Sequence, residues 1–220
     1  MGPKDLSGKI IGITGTPGSG KTYLAEKFRG MPGVEVIHEH VHSFPQEIVI
    51  NLKEQRNLFE TILWFRNRQV ADFIEAKRLA GEHKTVVIES TFYQYQQYID
   101  HYITDPFERQ ILHDLGKSDN RLLAPPDYLV YLNVPSGNIK LNLLSKGGDW
   151  TLHSDTLIDF LSGMGEHSKK FIADNLSMFP CFIDVDRSKI DFKDGLHFDL
   201  LLTKLTSQPT TPRKFISLPD

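Results

Sequence analysis

Residues 15–22 read Gly15-Thr16-Pro17-Gly18-Ser19-Gly20-Lys21-Thr22, between the apolar run Ile10–Thr14 and a stretch of helical period that opens at Thr22. The octet fits G-x-x-x-x-G-K-S/T in the strand-then-helix setting that gives the pattern its meaning. Glycines there let successive backbone N–H groups converge on phosphate oxygens at a helix N-terminus. Gly15, Thr16, Pro17, Gly18, Ser19, Gly20, Lys21 and Thr22 are therefore expected to cradle the phosphates of ATP or GTP. Lys21 would place a point charge on the β- and γ-phosphates, and Thr22 a hydroxyl on Mg²⁺. A dinucleotide-binding G-x-G-x-x-G needs a third glycine where Tyr23 stands, so that reading is rejected. No N-K-x-D guanine motif is present, which argues against a GTPase switch.

Four more short apolar runs resemble the first: Val34–His38, Thr85–Glu89, Tyr128–Val134 and Cys181–Val185. They are nearly continuous in hydrophobicity, as suits parallel strands buried on both faces. Stretches of helical period lie between them: Thr22–Arg29, Glu54–Leu79, Pro106–Leu115, Gly137–Leu144, Thr156–Asn175 and Gly195–Thr206. The alternation predicts an α/β P-loop NTPase-type fold with a five-stranded parallel sheet covered by helices. One domain over residues 1–206 is expected, with residues 207–220, which carry three prolines, as a flexible C-terminal tail.

Composition narrows the function. The 220 residues carry 25 Lys+Arg against 28 Asp+Glu, a net charge of −3, so no basic excess draws nucleic acid to the surface. Cys181 is the single cysteine, which excludes an internal disulfide or a multi-thiolate zinc site and suits a reducing compartment. Neither a membrane span nor a secretory signal is read, and the expected location is cytoplasmic.

Phosphoryl transfer needs a second acid for the metal, a base near the acceptor and positive charge around the moving group. Glu89 ends the run Thr85-Val86-Val87-Ile88, at the strand end where ligands gather in open parallel sheets, and is the second Mg²⁺ candidate. Glu39 follows the second run and is the general-base candidate. His38, His40 and His42 alternate and offer a conceivable metal cluster, against plain crevice lining. The run Phe92–Tyr98 offers aromatic faces for a planar base, Tyr95 among them, against ordinary helix packing. Trp64 and Phe65 read as core.

The order GTPGSGKT, VEVIHEHV, LFETILWFRNRQVADFIEA, VVIESTFYQYQQY, PPDYLVYLNVPSGNIKLNLLSKGGDW, IDVDRSKIDFKD resembles the deoxynucleoside kinases and their sister family, the thymidylate kinases, from about residue 9 to 205. The resemblance implies an NMP-kinase-like three-layer fold with a short lid at about 145–151. It implies ATP and Mg²⁺ as cofactors, a small nucleoside or nucleotide acceptor, and a possible homodimer. By that likeness Glu39 accepts the proton of the sugar 5′-hydroxyl, Glu60 falls where a glutamine reads the base, and Arg66 or Arg68 matches an arginine of the long helix. Glu89-Ser90-Thr91 matches a Glu-Arg-Ser motif, and Asp186 lies in the loop that senses adenine. Two departures stand out. Ser90 replaces the arginine, and the lid stretch Lys140–Trp150 offers only Lys140 and Lys146 where arginines are usual. The leading expectation is an ATP-dependent nucleoside kinase; a nucleoside monophosphate kinase and a degenerate ATP-binding regulator are the alternatives.

Overall fold

A computed structural model describes residues 6–39, 44–145, 155–207 and 214–218. Six parallel strands, β1 (Ile10–Gly15), β2 (Val34–Ile37), β3 (Thr85–Glu89), β4 (Tyr128–Asn133), β5 (Cys181–Asp186) and β6 (Lys214–Leu218), lie in the order β2-β3-β1-β4-β5-β6. Five are those expected. The sixth corrects the reading of 207–220 as a flexible tail: Lys214–Leu218 pairs with β5 from Cys181↔Lys214 to Val185↔Leu218, and Leu218 is fully buried. Its short Phe-Ile-Ser-Leu run suits a strand, and the three prolines fall outside it.

Side chains alternate across each strand, so one run of sequence feeds two cores. Ile11, Ile13, Val130 and Ile183 face α1 (Lys21–Arg29) and α9 (Gly195–Ser207) through Leu24, Phe28, Leu201 and Leu205. Ile10, Val86, Ile88 and Leu129 face the opposite way, toward Phe73 and Ala76 of α3 (Leu58–Gly81) and Ile172 of α8 (Asp155–Asn175). A further apolar cluster joins α2 (Gln46–Glu54) and α3 to the short helices α4 (Tyr93–Gln96) and α5 (Ile99–Tyr102), to α6 (Pro106–Leu122), and to α7 (Ser136–Ser145) and α8. Strand order and layers are those of an α/β P-loop fold.

Two helices differ from their expected bounds. The long helix expected over Glu54–Leu79 starts only at Leu58 and runs to Gly81 as α3, because Gln55 (φ 51°) and Asn57 (φ 47°) take left-handed backbone after α2, a helix the reading did not include and whose last residue is Glu54. Helix α6 runs to Leu122 rather than Leu115, and starts where Asp105 accepts hydrogen bonds from the N–H groups of Phe107 and Glu108, both at 2.9 Å, ahead of Pro106. The helices α4 and α5 were too short for periodicity to announce. The expected lid lies, from residue 146 on, outside the described residues. Among the described residues no helix is long and apolar enough to cross a membrane.

Candidate active site

The phosphate loop leaves the C-terminal end of β1, at the centre of the sheet. Gly15 lies where a Cβ would come within 2.9 Å of the Leu132 carbonyl, and Gly20, at φ 96°, caps α1 in a left-handed conformation. Lys21 is 8% exposed and donates from Nζ to the carbonyls of Gly15 at 3.0 Å and Thr16 at 3.4 Å. Thr16 Oγ1 and Ser19 Oγ are buried without a hydrogen-bond partner, so the loop holds hydroxyls as well as backbone N–H groups suited to an anion. All eight loop residues expected to bind nucleotide stand in this one turn.

Behind the loop is a buried polar network that the sequence reading missed. Ser168 of α8 donates to Gln97 Oε1 at 2.7 Å, Gln97 Nε2 to Thr14 Oγ1 at 2.8 Å, and Thr14 Oγ1 to Gln94 Oε1 at 2.7 Å. Gln94 Nε2 and the Tyr98 hydroxyl donate to the Gly15 carbonyl at 3.1 and 3.3 Å. The Phe92–Tyr98 run thus braces the loop rather than presenting rings to a ligand. Tyr95, expected in the substrate site, is 1% exposed and donates its hydroxyl to Asp119 Oδ2 at 2.7 Å. Burial raises its pKa first, and the hydrogen bond to Asp119 adds to the rise.

Glu89 ends β3 and Glu39 follows β2, both at the C-terminal edge of the sheet. Thr22 Oγ1 donates to Glu89 Oε1 at 2.5 Å, and Glu89 Oε2 lies 3.0 Å from His38 Nδ1, whose other ring nitrogen is 2.7 Å from Glu26 Oε1. A hydroxyl and a carboxylate side by side are hard oxygen donors that fit Mg²⁺. Ser90, in left-handed backbone at φ 64°, donates to Glu39 Oε2 at 2.8 Å. Loss of water around Glu39 raises its pKa above the ordinary 4.5; Lys21 and the Ser90 hydrogen bond pull it back, and Glu89 and Asp72 push it up.

Glu39, Glu89 and Ser90 line one cavity with Arg68, Gln69 and Asp72, closed on one side by the rings of Phe44, Trp64 and Phe65. The three rings meet edge to face, with centroids 5.1–5.3 Å apart. Arg68 Nε lies 3.4 Å from Asp72 Oδ2. Other expected residues are placed elsewhere. Arg66 is held by Asp119 through Nε at 2.8 Å and Nη2 at 2.5 Å, so of the two arginines only Arg68 reaches the cavity. Glu60 is exposed on α3 and does not line it. Asp186 accepts from Ser188 N at 2.9 Å and Ser188 Oγ at 2.6 Å, shaping the turn after β5, and these bonds lower its pKa. His40 and His42 lie outside the described residues, and among the described residues no three metal-binding side chains cluster. The lining from Phe65, Arg68, Gln69 and Asp72 follows i, i+3, i+4, i+7, a helical stripe with charges in it that spacing alone could have flagged.

Residues 10–134, from β1 to the end of β4, match the sequence family described as AAA domain. The chain belongs to that AAA-domain family. No curated protein matches this AAA-domain chain in sequence. In structure it is similar to deoxyadenosine kinase from M. mycoides solved with the products dCMP and a flexible dCDP, with a TM-score of 0.72 and 20% identity over 90% of this chain and 100% of that one. The same kinase with dATP gives 0.69 and 19%, over 90% and 98%, and with dCTP 0.71 and 18%, over 90% and 100%. At these identities the AAA-domain protein shares the fold of that kinase, and the likeness extends well past the matched family segment.

Proposed function

We propose that this protein is a kinase that transfers the γ-phosphoryl group of ATP to the 5′-hydroxyl of a nucleoside or deoxynucleoside. The observation that carries the reading is the position of Glu39: its carboxylate borders an aromatic-walled cavity, held by Ser90, within the electrostatic reach of Lys21. In that reading Glu39 takes the proton of the acceptor hydroxyl as its oxygen attacks the γ-phosphorus and the bond to the ADP oxygen breaks. Lys21 and the loop N–H groups hold the donor phosphates. Arg68 orients the acceptor and faces the transferring charge. Thr22 and Glu89 would hold Mg²⁺, which when bound neutralises charge on the β- and γ-phosphates. Phe44, Trp64 and Phe65 suit a flat base. The deoxyadenosine kinase fold supports the same assignment, and a cytoplasmic homodimer belongs to it by resemblance.

A monophosphate acceptor fits less well. The described cavity lining carries three carboxylates, Glu39, Asp72 and Glu89, against the one guanidinium of Arg68, which Asp72 already engages. An acceptor phosphate would enter a site with net negative charge, where like charges repel.

The test is ATP consumption with Mg²⁺ across nucleosides, deoxynucleosides and their monophosphates, with Lys21→Ala as control. Turnover that requires a nucleoside and vanishes in the variant is expected. Turnover only with monophosphates would move the assignment to a nucleotide kinase. ATP binding that depends on Lys21 without turnover on any acceptor would leave a regulator.

A further inference from the structure

Positive charge at the reaction centre is scarce: Ser90 stands where the resemblance expects arginine, Arg66 is taken by Asp119, and Arg68 is engaged by Asp72. Another arginine reaches the phosphate loop from a different element. Arg187 follows β5, and its backbone N–H donates to the Asn133 carbonyl at 2.9 Å, tying the turn to the end of β4. Its guanidinium lies over the Phe192 ring, 5.0 Å from the centroid, and Nη1 donates to the Ile190 carbonyl. The opposite nitrogen faces the loop: a Cβ built on Gly20 would lie 3.6 Å from Arg187 Nη2.

That arrangement fixes a charge without neutralising it. The ring and the Ile190 carbonyl settle where the planar group points, and no ion pair to Arg187 forms among the described residues. Asp186 instead turns to Ser188 and Lys189. Asp191 acts on the guanidinium only at longer range, and burial pulls the Arg187 pKa down more than Asp191 raises it. A partly buried guanidinium with no bonded carboxylate is costly unless an anion completes it. It stands beside Gly20, immediately ahead of the lysine and the first backbone N–H groups of α1, where loop and helix already favour phosphate.

We infer that Arg187 binds the phosphate chain of the donor nucleotide from outside the loop, beside Gly20, supplying charge that Ser90 does not. This rests on the ATP-binding reading above, and it differs from the adenine-sensing role that resemblance gives to the loop as a whole.

The experiment is calorimetric titration of the full chain with MgATP and MgGTP, for the wild type, Arg187→Gln, Arg187→Lys and Lys21→Ala, with melting temperatures measured alongside. Removing the charge is expected to raise the Kd for ATP about tenfold, the scale of one charge-assisted hydrogen bond, and by the same factor for GTP. Arg187→Lys, which keeps the charge but loses the planar group stacked on Phe192 and bonded to Ile190, is expected to bind both nucleotides more tightly than Arg187→Gln and more weakly than wild type, with melting temperatures showing both variants folded. If Arg187→Gln binds ATP like wild type while Lys21→Ala does not, ATP binding stands and the inference falls. If Arg187→Lys is as weak as Arg187→Gln and the ATP-to-GTP ratio changes, Arg187 reads the base and the phosphate assignment is overturned. A wild type that binds neither nucleotide removes the ATP reading and this inference with it.

Discussion

Glu39 and Ser90 decide the chemistry at the scale of single residues. A base must be ionised to accept a proton, and loss of solvent raises the Glu39 pKa above 4.5, so the acid limb of kcat/KM should lie above the ordinary glutamate range. The Ser90 hydroxyl favours the charged form. Ser90→Ala should therefore move that limb to higher pH, and a profile measured from roughly pH 5 to 8 checks the sign. A limb that stays put would separate Ser90 from the base. Glu39→Gln should lower kcat by about 10²–10⁴ with the affinity for ATP kept, as read from steady-state rates and a binding titration. Most of this was legible: a glutamate after the second strand and another at the end of the third are placed by topology before any side chain is seen. Whether Ser90 would matter was not, because the bond to Glu39 depends on the left-handed backbone at Ser90, which no periodicity encodes.

At the scale of elements, α3 shows where sequence reasoning stops. Its arginines at 66 and 68 are two residues apart and so point in different directions around the helix. Arg68 reaches the cavity with Asp72, whereas Arg66 closes on Asp119 of α6, where the Tyr95 hydroxyl completes the carboxylate. Resemblance offered Arg66 or Arg68 as alternatives; only the helix phase and the neighbouring α6 separate them. Asp119→Ala leaves a half-buried guanidinium and a buried phenol unpaired, so it should cost about 3 kcal/mol of folding stability. Urea denaturation checks it, and the surviving folded protein should bind ATP as before. The Thr14, Gln94, Gln97, Tyr98 and Ser168 network was equally hidden, since its members come from β1, from α4 and the turn after it, and from α8, distant in sequence.

Across the whole molecule, the sheet order puts β1 in the middle, so the phosphate loop, the Glu89 end of β3 and the turn after β5 open toward one crevice. That much follows from the alternation of apolar runs and helical stretches. The sixth strand does not, because five residues between prolines carry too little pattern to stand against a mobile tail. Its Leu218 is fully buried in the core shared with β5 and α9. Leu218→Ala should lower stability by about 3 kcal/mol, measured by chemical denaturation, where a surface tail would give no change.

A label on the γ-phosphate follows the phosphoryl group to its destination. ATP labelled at the γ-phosphate is incubated with the protein, Mg²⁺ and a mixture of deoxynucleosides, and the labelled products are separated and identified. Label in a deoxynucleoside 5′-monophosphate, absent with Glu39→Gln, is the expected result. Label confined to inorganic phosphate, or found only when monophosphates are supplied and then in diphosphates, would contradict it.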